Sequence, residues 1–522
     1  MKPIRLVRGF LTVGIWTLLS RVFGFARDIM IAGYLGAGPV AEAFLVAFSL
    51  PNMFRRFFAE GAFNMAFVPM FSKKLEAGED PERFAQEAFA GMAFLLTVFT
   101  VIGIVAMPGL VLLMASGFAE DERFPLAVAY GRIAFPYILF ISLGALVSGV
   151  LNATGRFVAA AAAPVLLNVV FIATVLIAAA LAPGTGLGDA PELRVGRALA
   201  WAVPLAGVLQ LGLVWIAARR AGFHLRPMRP RLTPELKKLA VIAAPAALAG
   251  GVVQINLLVG RQVASFFDGA VAWLNYADRL YQLPLGVVGI AVGVVLLPDL
   301  SRRLRAGDEA GGRDAFNRAA EMSLALTIPA AVALVVIPVP LVSVLFERGA
   351  FSTDDTMATA LAVAVYGLGL PAFVLQKSLQ PLFFAREDTR SPFRYALVAM
   401  VVNAAVAIGL APFIGFIAAA FGTTLAGWAM VWLLWRGSRA MGAAAAWDDR
   451  FRRRLWRICG ASALMGALLL GCAALLGPFL ATPSVRYLAL ALLVAIGIAG
   501  YFGFGQILGA FRLSEFRRAV RR

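Results

Sequence analysis

Charged side chains lie inside several long apolar segments of the sequence, where each costs roughly 2.5 to 3.5 kcal/mol to place in a membrane. The charged residues and the bend-forming residues beside them are Arg21, Gly24, Arg27 and Asp28, then Pro51, Arg55, Arg56 and Glu60, and finally Asp278 and Arg279. Arginine suits phosphate oxygens, because its planar guanidinium forms paired hydrogen bonds and keeps its charge. The excess of arginine over carboxylate therefore predicts a binding site for a phosphate or diphosphate group.

Helical spacing decides which of these charges can neutralise one another. Arg56 and Glu60 are four residues apart and can pair along one helix. Arg21 and Asp28 are seven residues apart and share a helical face. These pairings predict that the donors left for a ligand are Arg27, Arg55 and Arg279. The alternative, in which the arginines only pair with internal carboxylates or reach the cytoplasmic interface, stays open at this point.

The composition implies that lipid is the solvent for most of this chain. Of its 522 residues, 61% are hydrophobic and 15% are charged, which is too apolar for a soluble domain of this size. At about 20 residues per span, the sequence predicts an all-α integral membrane protein with about fourteen transmembrane helices. Gly24 and Pro51 would let the first two helices bend towards a cavity. The predicted spans lie near residues 9–35, 40–70, 86–113, 125–151, 158–181, 195–218, 238–266, 270–300, 320–345, 355–385, 392–411, 413–435, 455–478 and 485–511.

The net charge of +18 is distributed unevenly between alternate loops. The basic loops lie near residues 72–86, 219–237, 301–319, 386–394 and 436–457, whereas those near 36–40, 114–124, 267–269, 346–356 and 411–413 are acidic or uncharged. The positive-inside rule then places the basic loops and both termini in the cytoplasm. The charge is explained by topology and by contact with anionic membrane lipids, so we expect no nucleic acid partner.

An internal repeat divides the predicted helices into two halves. The segment PMFSKKL at residues 69–75 recurs as PDLSRRL at residues 298–304. Each half has six spans, an even number, so both enter the membrane in the same direction and should be related by an axis along its normal. The sequence therefore predicts lobes at residues 1–220 and 221–440, two further helices and a cytoplasmic tail at 441–522, and substrate bound between the lobes.

The sequence lacks the residue patterns of an intramembrane enzyme. It has no HExxH motif, no paired histidines, and no serine or cysteine beside a plausible base. We therefore predict a protein that is not an enzyme, that needs no cofactor, and that has no metal site.

Three stretches resemble the MurJ (MviN) family of lipid II flippases in the MOP exporter superfamily. They are SRVFGFARD at residues 20–28, LPNMFRRFFAEGAFNMAFVP at residues 50–69, and YADRL at residues 276–280. The resemblance implies a MATE-like fold in which the last two helices form a groove for the undecaprenyl chain. It also implies that the essential cavity arginines are Arg21, Arg27, Arg55 and Arg279, supported by Asp28 and Glu60.

Two positions depart from the pattern of the family. Some members bind sodium through an Asp in the seventh helix, but residues 240–266 contain no Asp and offer Gln254, Asn256 and Arg261 among their polar side chains. We therefore predict no sodium site. The first loop on the periplasmic side usually carries an Asp, and this sequence has Glu42 there.

The resemblance implies a monomer in the bacterial inner membrane that moves lipid II from the cytoplasmic to the periplasmic leaflet by alternating access. Contacts with proteins of cell-wall synthesis are left open. A rival is an exporter of drugs or of other lipid-linked oligosaccharides in the same superfamily, of which a drug exporter would need cavity carboxylates for cationic substrates. A second rival is a membrane scaffold that transports nothing. Replacement of Arg27 or Arg279 by Ala would then leave growth unaffected.

Overall fold

The computed structural model describes residues 3–55, 62–181, 190–225 and 228–511. Regular structure in these ranges consists of eighteen α-helices and two single 3-10 turns, at Ser116–Phe118 and Ala443–Ala445. The all-α class predicted from the sequence is confirmed. The Cα atoms group into two compact units, of which the first runs to Ala272 and includes Arg348–Phe351, while the second contains Trp273–Glu347 and the chain from Ser352 onwards.

The first unit contains ten helices, and α1 packs against α8, α2 against α6, and α7 and α8 against α9. α10 also belongs to this unit and packs against α3. The ten helices are α1 (Pro3–Leu35), α2 (Pro39–Arg55), α3 (Ala62–Ala77), α4 (Pro81–Val105), α5 (Met107–Met114), α6 (Arg123–Ala134), α7 (Tyr137–Ala153), α8 (Val158–Ala180), α9 (Pro191–Arg220) and α10 (Pro234–Ser265).

The second unit contains the remaining helices, and α12 packs against α14 and α17, α16 against α14 and α15, and α17 against α18. The Tyr501 hydroxyl on α18 donates a 2.6 Å hydrogen bond to the carbonyl oxygen of Ala325 on α12, which ties the last helix to this unit. The eight helices are α11 (Ala270–Arg305), α12 (Glu309–Val336), α13 (Pro338–Phe346), α14 (Thr353–Phe384), α15 (Arg390–Ile414), α16 (Ile417–Ser438), α17 (Asp449–Ala481) and α18 (Arg486–Ile507).

Three of the predicted spans are broken into two helices at or beside a proline. α4 gives way to α5 at Ala106, just before Pro108, and α12 gives way to α13 at Ile337, just before Pro338. α6 and α7 are separated at Phe135 and Pro136. Proline has no N–H for the helical ladder and its ring clashes with the preceding turn, so each helix restarts there. The predicted span 40–70 contains α2 and α3, and residues 56–61 lie outside the described residues.

The surfaces of the helices agree with a lipid environment. Ten helices or helix pairs among the described residues are long and apolar enough to cross a membrane. Large apolar side chains point outwards along them, including Phe413, which is 82% exposed, and Leu475, which is 78% exposed. A patch of this kind would be costly in water. The chain is therefore a multi-pass membrane protein, while the count of fourteen spans and the lobes at 1–220 and 221–440 stay predictions.

Candidate functional site

Arg27 is held in a buried polar cluster between α1 and α8. Its Nε and Nη2 donate to Oδ1 of Asp28 at 2.9 and 2.6 Å, and its Nη1 donates to Oδ1 of Asn168 at 2.9 Å. Arg27 is 7% exposed and Asp28 is 5% exposed. The guanidinium also lies 5.5 Å from the ring centroid of Phe171, a favourable cation–π distance. Three contacts from two helices thus fix the position of a buried positive charge.

This geometry corrects the pairing expected from helical spacing. Asp28 pairs with its neighbour Arg27, and not with Arg21 one helical repeat away. Adjacent residues point in different directions on a helix, but the long arginine side chain bends back far enough to reach the carboxylate. Arg21 is exposed, and within the described part of the chain it makes no ion pair. Among the α1 side chains that the structure describes, Arg21, and not Arg27, is therefore the uncommitted cation.

Asn168 completes this cluster and is not among the site residues predicted from the sequence. It accepts from Arg27, and its Nδ2 donates to the backbone oxygen of Ser20 at 3.0 Å. Gly24 of α1 lies beside it, and a Cβ at Gly24 would lie 3.5 Å from Nδ2 of Asn168, an ordinary van der Waals contact. A lone Asn in an apolar segment was the available signal, since a buried amide needs partners.

The second arginine group lies at the end of α2. Arg55 is half-buried as the last residue of this helix, and Pro51 is buried four residues before it. Pro51 cannot donate to the helical ladder, and the side chain of Asn52 beside it donates to the carbonyl of Phe48 at 2.8 Å. Arg56 and Glu60 lie outside the described residues, so their predicted pairing remains a prediction.

The predicted site residues of the second unit lie on α11. Asp278 and Arg279 are both half-buried, and the side chain of Gln282 donates to Asp278 one turn later. The ring of Tyr281 packs against Tyr366 on α14 with centroids 5.1 Å apart. α11 therefore presents an acid, an arginine and an aromatic ring within one turn.

A separate buried ion pair joins helix ends and loops of the first unit. Arg123, at the start of α6, is 5% exposed, and its Nη1 donates to Oε2 of Glu42 at 2.9 Å. Glu42, on the first turn of α2, is 1% exposed, and its other oxygen accepts from the backbone N–H of Val271 at 2.9 Å. Arg123 also lies 3.1 Å from Asp268. One guanidinium thus connects three segments that are distant in sequence.

Asp121 completes this cluster from the loop before α6. Its Oδ2 accepts from Nε of Arg123 at 2.7 Å. Burial by itself raises the pKa of the Asp121 carboxyl, but hydrogen bonds from the side chain and backbone of Arg123 outweigh burial and hold this pKa below its usual value. The carboxylate is therefore ionised at neutral pH.

Two loops of the first unit make close backbone contacts with helix ends. Near the end of α1, the N–H of Ala350 donates to the carbonyl of Gly33 at 2.8 Å. Gly349 has φ +57°, and a Cβ there would lie 2.1 Å from the Gly33 oxygen, so only glycine fits. At the end of α10, the N–H of Ser116 donates to Oε1 of Gln262 at 2.7 Å. Both loops are among those predicted to be periplasmic.

Within the described ranges, no three His, Cys, Asp or Glu side chains come together in the way that a metal site requires. Cys459 and Cys472 are both free thiols. The absence of a metal ion from the function therefore stays a prediction.

Comparison with known sequences gives matches along nearly the whole chain. The sequence model of one family, described as "Lipid II flippase MurJ", matches residues 31–493. The "Probable lipid II flippase MurJ" of Rhizobium meliloti (strain 1021) is 46% identical over 529 residues, covering 99% of this chain and 96% of that protein. The "Lipid II flippase MurJ" of Burkholderia cenocepacia is 35% identical over 529 residues, covering 99% of this chain and all of the relative.

Comparison with solved structures identifies the fold. The structure titled "Lipid II flippase MurJ, inward closed conformation" matches with a TM-score of 0.77 and 24% identity, covering 98% of this chain and 100% of that one. An inward-facing multidrug resistance MATE family transporter of the MOP superfamily matches with a TM-score of 0.65 and 15% identity, covering 84% and 98%. The predicted MOP fold is therefore confirmed.

Proposed function

This chain belongs to the MurJ family of lipid II flippases, and we propose that it moves lipid II, the lipid-linked peptidoglycan precursor, from the cytoplasmic to the periplasmic leaflet. The head group is too polar to cross the hydrocarbon core unaided, because its charged and hydrogen-bonding groups would lose water there without compensation. The protein supplies that compensation with fixed polar groups inside an otherwise apolar set of helices.

The observation that carries the substrate assignment is the buried guanidinium of Arg27. A guanidinium has five N–H donors, and three of them are used by Asp28 and Asn168. Two donors therefore remain, already oriented, for the oxygens of a diphosphate. Because the three bonds hold the group in place, little side-chain entropy is lost on binding.

Arg21 supplies the charge that Arg27 alone does not. The Arg27–Asp28 pair is neutral overall, so an incoming anion needs further cations. Arg21 lies six residues earlier on α1, about 9 Å along the helix axis, and its side chain is exposed. We propose that Arg21, Arg55 and Arg279 balance the diphosphate while Arg27 orients it. The excess of arginine favours this substrate over the cationic drugs of a multidrug exporter.

We propose alternating access as the mechanism. The Glu42–Arg123 pair and the two loop contacts join segments that all lie on the predicted periplasmic side. An inside-negative membrane potential favours outward movement of negative charge by about 2.3 kcal/mol per charge per 100 mV, and could give the cycle its direction without ATP.

The remaining assignments follow from the same proposal. We place the protein in the bacterial inner membrane with both termini in the cytoplasm, working as a monomer and without enzymatic activity. The apolar surfaces of α17 and α18, including Leu475 and the 73% exposed Leu488, are suited to the undecaprenyl chain. Anionic lipids are the expected neighbours in the membrane, and contacts with cell-wall synthesis proteins stay open.

Complementation of a bacterium depleted of its own flippase tests this function. Wild-type protein should restore growth and the pool of periplasmic lipid II, whereas Arg27→Ala and Arg279→Ala should not. Arg83→Ala is the matched control, because Arg83 is 66% exposed and pairs only with Glu87 on its own helix among the described residues. Normal growth with Arg27→Ala and Arg279→Ala at equal protein abundance would favour the scaffold over the transporter.

A further inference from the structure

The chain between α16 and α17 is fastened to α12 by side chains that bond its backbone. Asn317 of α12 is fully buried, and its Nδ2 donates to the carbonyl oxygen of Ala446 while its Oδ1 accepts from the N–H of Asp448, both at 3.0 Å. Arg313, one turn earlier, donates from Nε to the same oxygen of Ala446 at 3.1 Å and from Nη2 to the carbonyl oxygen of Trp447 at 3.0 Å. This clamp of Arg313 and Asn317 thus holds three consecutive residues at the point where α17 begins.

Such an attachment is unusual for a connecting segment. Connecting segments mostly run over the surface, where water satisfies their backbone groups. Here Ala444 is fully buried, and the ring of Trp447 packs on both Phe451 and Phe316, with centroids 4.3 and 4.6 Å away. The connection is therefore part of the packed interior of the second unit.

Charged side chains continue the attachment along the first two turns of α17. Glu321 of α12 is 8% exposed, accepts from Arg454 of α17 and lies 3.6 Å from Arg450. Arg318 of α12 donates to Glu321 and also to Asp448, the N-cap of α17. A buried carboxylate is tolerated only while such partners surround it. Separation of α12 from α17 would therefore deprive Glu321 of the arginines of α17.

Apolar packing joins the rest of the two helices. A Cβ at Gly466 of α17 would lie 2.8 Å from Cγ1 of Val332 on α12, so the two helices approach more closely than a larger residue would allow. Buried side chains of α12, α13, α17 and α18 form one hydrophobic cluster. α18 is also bonded to α12, through Tyr501 and Ala325. The C-terminal helices thus share one packed core with α12.

We propose that α12, α17 and α18 move as one rigid body during transport, and that Asn317 and Arg313 are positioning residues that keep this body together. The inference rests on the proposed function, in which the surfaces of α17 and α18 carry the undecaprenyl chain. Packed interfaces change between discrete arrangements and do not deform continuously. Sliding of α17 would break the bonds at Ala446 and Asp448 and unpair Glu321 at the same time. The surface that holds the lipid chain therefore keeps its place on α12 while the head group crosses.

A reversible cross-link between α12 and α17 tests whether these helices move relative to each other. In protein that carries Cys459→Ala and Cys472→Ala, the pair Gly466→Cys/Val332→Cys brings two thiols together for a disulfide, which requires Cβ atoms about 4 Å apart. We expect the oxidised protein in proteoliposomes to move fluorescent lipid II at the rate of the reduced protein. A rate that falls on oxidation and recovers on reduction would overturn the proposal, as would failure of the disulfide to form.

Removal of half of the clamp tests the role of Asn317. Asn317→Ala loses two hydrogen bonds to backbone groups, and we expect it to move lipid II about tenfold more slowly per folded molecule. An analogue with a short lipid chain should be moved at the wild-type rate, because it does not reach the surface of α17 and α18. Addition of the Gly466→Cys/Val332→Cys pair should restore the rate for lipid II on oxidation, since the disulfide then replaces the clamp.

Gln376→Ala is the matched control, because Gln376 joins α14 to α16 through its bond to the carbonyl oxygen of Gly427, and not α12 to α17. It should leave the rates for both substrates unchanged per folded molecule. Equal slowing of both substrates by Asn317→Ala would show that Asn317 serves the fold as a whole and would overturn its assignment. Inability of the wild-type protein to move lipid II would instead contradict the proposed function, and this inference with it.

Discussion

The guanidinium of Arg123 lies 2.9 Å from the carboxylate of Glu42, although 81 residues separate them. Both side chains are almost fully buried, and each belongs to the first turn of its helix. Two charges removed from water in this way are tolerated only when each compensates the other. The pair therefore holds α2 and α6 together as long as it stays intact.

Loss of one partner of this pair should destabilise the protein strongly. We expect Arg123→Met to lower the free energy of unfolding by about 3 to 5 kcal/mol, because Glu42 is left as a buried charge without its main partner. Thermal unfolding in detergent measures the change. The double variant Arg123→Met/Glu42→Met should recover much of the loss. A double variant as unstable as the single one would contradict the coupling.

Gly349 should tolerate no side chain, for reasons that go beyond its backbone angles. Gly349→Ala and Gly155→Ala both place alanine at positive φ, +57° and +76°, at a cost of roughly 1 to 2 kcal/mol. Nothing lies within 4 Å of a Cβ at Gly155, whereas one at Gly349 meets the Gly33 oxygen. Of the two variants, we expect only Gly349→Ala to abolish complementation. Equal behaviour of the two variants would show that the contact with α1 is unimportant.

Asn168 should matter for transport through the position of Arg27. Asn168→Ala removes a charge-assisted hydrogen bond, and we expect about a tenfold loss of transport rate per folded molecule. Gln210→Ala is the control, since Gln210 is also buried and hydrogen-bonded but bonds Ala163 and Tyr137 instead. The control should lose stability and keep its rate. A similar loss of transport rate in both variants would mean that Asn168 acts through packing and not through the position of Arg27.

Collapse of the membrane potential should slow outward transport. If negative charge crosses the membrane with the substrate, each charge gains about 2.3 kcal/mol per 100 mV. Periplasmic lipid II measured before and after addition of an ionophore that removes only the electrical potential tests this prediction. An unchanged rate would mean that the driving force has another source.

The type and the approximate bounds of the helices could be predicted from the sequence, but the breaks within the spans could not. The predicted span 158–181 corresponds to α8 at Val158–Ala180, because a continuous apolar run leaves little choice. The span 320–345 instead contains a break at Ile337 before Pro338. A proline inside a membrane helix can either bend the helix or end it. α2 continues through Pro51, whereas the span 320–345 breaks before Pro338. Packing by neighbouring helices decides which of the two happens.

The residue types of the candidate site could be predicted from the sequence, but the pairs that these residues form were harder to predict. Arg27 and Asp28 can be identified from the sequence because charges in apolar segments are conspicuous, but their mutual bond depends on side-chain reach and not on helical periodicity. The roles of Asn168 and Arg123 depend on contacts between residues more than 80 positions apart. One sequence read by itself contains no record of such contacts.

We propose that arginines of the helices bind the diphosphate of lipid II and carry it across the membrane. The most direct measurement is the rate at which fluorescent lipid II changes leaflet in proteoliposomes that contain the purified protein. We predict rapid exchange with wild-type protein, a rate near that of protein-free vesicles with Arg27→Ala, and only partial recovery with Arg27→Lys, which lacks the planar fork. Wild-type rates in the Arg27→Ala protein would contradict the account.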